Sequence, residues 1–96
     1  MTETRIRIDI GGASAEELQR GAEAAQDVFD RAGVDVDAAF AAVMRRDGEE
    51  NLTADEESLC ALYAEADRAA VDACCAGWAD KPETAWMGLD DRPGFW

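Results

Sequence analysis

Ninety-six residues are expected to form one domain with no room for a second, and a 48% hydrophobic content rich in alanine gives a thin, closely packed core. Twenty-two acids against nine bases set the formal charge at −13, which opposes direct binding to nucleic acid or anionic membrane and favours a basic partner. No apolar run approaches the roughly 20 residues that span a bilayer, and "MTETRIRIDI" lacks the apolar core of a signal peptide. A cytoplasmic protein is expected.

Residues 4–10, "TRIRIDI", alternate strictly, with Ile6, Ile8 and Ile10 on one side and Arg5, Arg7 and Asp9 on the other. This is the pattern of a half-buried strand. "GGAS" breaks it, and Ser14 with Glu17 has the spacing of a capping box. The helix that follows, about 14–32, gathers Ala15, Leu18, Ala22, Ala25, Phe29 and Ala32 on one face, and Gly33 is its natural stop. A second helix, about 35–46, starts at Asp35 or Asp37. It turns Val36, Ala39, Phe40, Val43 and Met44 inward, with Arg45 and Arg46 in the last turn and Gly48 as the stop.

Thr53 with Glu56 forms a second capping box and opens the longest helix, about 53–78. Its expected buried stripe is Leu59, Leu62, Tyr63, Ala66, Ala70, Ala73, Cys74 and Gly77. The core should draw on Leu18, Val28, Phe29, Phe40, Val43, Leu59, Leu62, Tyr63 and some of the tryptophans. In the aromatic tail, 79–96, Pro82 and Pro93 forbid a continuous helix. There "ETAWMGL" (83–89) can form a short strand. A lone strand is unstable, so strand 4–10 needs a partner, from the tail or from a second copy. The tail is preferred, giving β-α-α-α-β, an α+β fold that is mainly α.

The chemistry-bearing residues exclude more than they specify. With no histidine, the usual base near neutral pH is missing, and Cys60, Cys74 and Cys75 have no activating base beside them. The cysteines read as small apolar residues on a buried helix. An EF-hand register from Asp47 puts Leu52 where glycine is needed and Ser58 where the closing glutamate belongs. No zinc-ligand spacing is present. Neither a metal site, a cofactor site nor a catalytic residue is expected.

The acids fall in two groups: Asp27, Asp30, Asp35 and Asp37 around the first helix–helix turn, and Asp47, Glu49, Glu50, Asp55, Glu56 and Glu57 in the stretch "RRDGEENLTADEE". Duplex DNA carries one charge per roughly 1.7 Å of axis, and helix residues rise about 1.5 Å each, so such acids can imitate a line of phosphates. The expected partner is a basic nucleic-acid-binding protein or complex, with the chain a monomer or homodimer. Trp86, Phe95 and Trp96 become candidate anchors for a partner wherever they are exposed.

In size, charge and helical make-up the chain resembles the small acidic inhibitors of phages and mobile elements, among them anti-CRISPR proteins and other DNA mimics. That resemblance implies a stoichiometric, non-catalytic blocker of a host nucleic-acid machine. It assigns no residue. "RIRIDI" followed by a helix and "AGVDVDAAFAAVMRRDG" also resembles the ribbon-helix-helix repressors and antitoxins over residues 4–48. That alternative implies a dimer whose Arg5, Arg7 and Asp9 face the DNA groove. The first helix is about two turns too long for it, and the body is strongly acidic. The remaining alternative is an assembly or structural protein whose acids only keep it soluble.

Overall fold

Two capping boxes set where the main helices begin. Ser14 Oγ accepts from the Glu17 backbone N–H at 3.1 Å, and Glu17 Oε1 accepts from the Ser14 N–H at 2.9 Å. Thr53 and Glu56 repeat the exchange at 3.1 and 3.0 Å. Each box satisfies two of the donors that a helix start leaves orphaned. The computed structural model describes residues 5–89. Its elements run β1 (Ile6–Asp9), α1 (Ala15–Ala32), α2 (Val36–Asp47), α3 (Ala54–Cys74) and β2 (Trp86–Leu89).

The strand's partner comes from the same chain. β2 pairs antiparallel with β1 in the register Ile6↔Leu89, Arg7↔Gly88, Ile8↔Met87 and Asp9↔Trp86. Ile6, Ile8 and Met87 are buried against the helices, while Arg7, Asp9 and Trp86 face out. Packing on a helical layer gives this two-stranded sheet the stability it would lack alone.

α3 packs against both α1 and α2. α1 and α3 approach closely at Gly21. A Cβ there would run into Ile8 Cδ1 and lie 2.9 Å from the Ala70 carbonyl oxygen. Glycine in a helix interior costs roughly 0.5–1 kcal/mol relative to alanine, and here it lets β1 settle over the α1–α3 groove. The Ala85 N–H, just before β2, donates to Asp67 Oδ1 of α3 at 2.7 Å. β2 therefore lies on the α3 side of β1.

The main core gathers Ile6, Ile8, Ile10, Phe29, Val36, Val71, Cys74, Cys75 and Met87 with several alanines. A smaller cluster of Ala42, Val43 and Cys60, flanked by Leu52, Leu59 and Tyr63, joins α2 to α3. Tyr63 meets Phe40 edge-on, with ring centroids 5.1 Å apart. Of the expected core, Phe29 and Val43 are buried, and Leu18, Val28, Phe40, Leu59, Leu62 and Tyr63 are half-buried around it. Trp78 is half-buried too; its Nε1–H donates to Glu17 Oε2 at 3.0 Å, tying the segment after α3 to the start of α1.

Several expectations need correction. Met44 is 70% exposed, because Ala42 rather than Met44 completes the inner face of α2 and allows a close fit to Cys60. Ala15 and Ala32, at the two ends of α1, are exposed. α3 ends at Cys74, short of 78, and the exposed Gly77 takes the left-handed conformation, φ 91°, in the turn beyond it.

Candidate functional site

The two acidic groups lie at opposite ends of α2. With twelve residues, this helix separates them by roughly 18 Å. Their surroundings differ.

The group at the α1–α2 turn is committed to structure. Asp27 pairs with Arg31 one turn on, at 2.8 Å. Asp30 accepts from Gln26 Nε2 at 3.1 Å, while Gln26 Oε1 takes the Arg5 backbone N–H at 2.9 Å. Asp35 caps α2 by accepting from the Asp37 N–H, and Asp37 pairs with Arg5 at 2.9 Å. Asp27 and Asp30 bond within α1 and Asp35 caps α2, while Asp37 ties the start of α2 to Arg5, just before β1.

The group at the α2–α3 junction is arranged around Arg45. Its Nη1 lies 2.7 Å from Glu56 Oε2, and its Nε lies 3.7 Å from Glu50 Oε1. Sequence reasoning assigned Arg45 only to the helix dipole. Its reach across eleven positions to a capping-box glutamate leaves no periodic signal to find. The hydrogen bond from the Thr53 backbone, with Arg45 and the Thr53 hydroxyl adding to it, holds the Glu56 carboxyl below its usual pKa. Asp47, Glu49, Asp55 and Glu57 are exposed and have no ion pair or side-chain hydrogen bond among the described residues.

The backbone at this corner is unusual. α2 ends with the Glu50 N–H bonded to Arg45 O at 3.1 Å and the Glu49 N–H bonded to Arg46 O at 3.0 Å. This is the left-handed C-cap pattern in which glycine normally fills the turning position. Here Glu49 fills it, at φ 61°, while Gly48 keeps an ordinary φ of −83°. Gly48 therefore stops α2 as expected, and the left-handed turn follows one residue later at Glu49. A side chain in the left-handed region costs roughly 1–2 kcal/mol, so an exposed carboxylate is held at a strained position with a glycine beside it.

Among the expected aromatic anchors, Trp86 is 58% exposed on the outer face of the sheet. Its indole folds along its own strand over Gly88, where a Cβ would lie 2.8 Å from Cη2. The Arg7 guanidinium sits 5.9 Å from the ring centroid, within cation–π range. The glycine that admits this stack was the one signal in the sequence, and it was not read. Phe95 and Trp96 lie outside the described residues.

Among the described residues, no cluster of three or more potential metal ligands occurs, and no helix is long and apolar enough to cross a membrane. No family model matches the chain, and comparison with curated proteins and with solved structures gives no match either.

Proposed function

We propose that this protein is a non-catalytic binding module that uses the acidic α2–α3 corner to block a basic nucleic-acid-binding protein or complex. The observation that carries this reading is Glu49. Local strain kept at an exposed site is commonly retained for function, and here the strained residue is a carboxylate among three others, Asp47, Asp55 and Glu57, that have no ion pair or side-chain hydrogen bond among the described residues. The α1–α2 acids, spent on internal pairs, serve as a secondary field. A basic groove would meet carboxylates where it ordinarily meets phosphates, and would release its counterions in the same way.

A pull-down from host lysate at low salt, eluted by a salt gradient and identified by mass spectrometry, tests the reading. One nucleic-acid-handling protein eluting at a defined, moderately high salt is expected. Reversing charge at Glu49, Glu50, Asp55 and Glu57 should abolish that capture and leave the helical circular dichroism intact. Glu56 is left alone because it caps α3. Equal capture by the reversed chain removes the corner from the contact. A smear of abundant basic proteins at low salt leaves only a solubilising surface.

A further inference from the structure

β1 has two edges, and β2 covers one of them. Since β2 lies toward α3, the other edge opens toward α1. There a cleft of about 230 Å³ runs between Ile6, Arg7 and Ile8 of the strand and Ala15, Leu18 and Ala22 of the helix. That is below the roughly 300–1,000 Å³ of small-molecule sites, and its long strand wall suits a row of side chains better than a compact ligand. Arg7 and Asp9, on the outer face, have no ion-pair partner among the described residues.

The geometry points to strand addition at this edge: an extended segment of a partner protein lies antiparallel to β1, over α1. Backbone hydrogen bonds to an open edge give such a complex its affinity, and alternate side chains give it specificity. Here an apolar side chain of the segment drops toward Leu18 and Ala22. The residues on either side of it face outward, a basic one opposite Asp9 and an acidic one opposite Arg7. Read from its N-terminus, the segment is basic–apolar–acidic.

A second complete copy does not fit. Two antiparallel β1 strands would be related by a two-fold axis perpendicular to the sheet, placing both α1 helices on one face. α1 already lies beneath the open edge, so the two helices would collide. A strand with no helix behind it meets no such obstacle.

The order Arg7-Ile8-Asp9 is itself basic–apolar–acidic, which supplies a probe. Fluorescein-labelled TSIRIDIG, residues 4–11 with serine in place of Arg5, and its charge-exchanged counterpart TSIDIRIG are titrated with the full chain and followed by anisotropy. TSIRIDIG should bind saturably, one to one. TSIDIRIG should bind about tenfold more weakly, as two cross-strand charge pairs turn from attraction to repulsion. On a chain carrying Arg7→Asp with Asp9→Arg, the preference should invert. No saturable binding, equal binding of the two peptides to the native chain, or an unchanged preference on the exchanged chain overturns the proposal. So does light scattering that shows a dimer dispersed by excess TSIRIDIG. Neither probe touches the acidic α2–α3 corner, so this result is independent of capture through that corner.

Discussion

The two helix–helix junctions use one backbone solution with two different residues. At the first, Gly33 occupies the left-handed position at φ 69°, with the Val34 N–H bonded to Phe29 O and its own N–H to Asp30 O. At the second, the same pair of hydrogen bonds closes around Glu49. The first junction follows the local rule, and its acids pair internally. The second breaks the rule with a charge, and four of its six acids, Asp47, Glu49, Asp55 and Glu57, have no ion pair or side-chain hydrogen bond among the described residues, while Glu50 and Glu56 pair with Arg45. The contrast sets a corner whose carboxylates are all paired, capping or hydrogen-bonded beside one where a strained carboxylate and three neighbours make no such contact among the described residues.

Substitution at the turning positions breaks this comparison most strongly. Gly33→Ala should lower unfolding stability by roughly 1–2 kcal/mol, since it forces a Cβ into the left-handed region. The measurement is the urea midpoint. Glu49→Gly should do the reverse and raise stability by about 1 kcal/mol, while weakening capture of a basic partner. A gain in stability with capture unchanged would show that the strain at Glu49 has nothing to do with binding. Gly48→Ala, at an ordinary φ with only van der Waals neighbours at 3.6 Å or more, should stabilise by about 0.5 kcal/mol. Alanine thus acts with opposite sign at two glycines that occupy apparently equivalent places in the sequence.

The smallest effect expected is a pH dependence, and it sharpens the contrast between the helix starts. Hydrogen bonds hold Glu17 and Glu56 below their usual value of 4.5, from the Ser14 backbone and Trp78 in one case and from the Thr53 backbone in the other. The stability they add is present above that usual value and is lost as pH falls through their lower folded values. Glu56→Gln should flatten the acid limb of a urea-midpoint-against-pH curve, and Glu17→Gln should flatten it separately. An unaltered limb in both variants would mean that the boxes do not contribute to acid unfolding.

The sequence was legible where the physics is local. Both capping boxes depend on residues three apart, Gly33 depends on a single backbone angle, and the need of β1 for a partner follows from the instability of a lone strand, with the tail preferred over a second copy and observed as β2. What could not be read depends on distance or on small rotations. Arg45 reaches Glu56 across a loop. Trp78 reaches Glu17 from the segment after α3. A slight turn of α2 puts Ala42 inside and Met44 outside. At the second junction Gly48 ends α2 as expected, but nothing in the sequence marks Glu49 as the left-handed residue that follows it. The acidic stretch was visible from composition alone, but only the hydrogen bonds distinguish carboxylates that build the protein from those that remain available.

The buried thiols have a practical consequence. Cys60 sits where α3 meets α2, Cys74 sits against Gly21 where α3 meets α1, and Cys75 follows it at the end of α3. Burial pushes Cys74 up to about 11, with Cys75 adding to the effect. In the closed protein a thiol reagent has no access to any of the three, and at Cys74 it also finds little thiolate to attack. Modification must await local opening, and its rate then measures how often each stretch of helix comes apart. The native chain therefore carries two chemical stopwatches on one helix. They can show whether its two ends open together or one at a time, with no probe added.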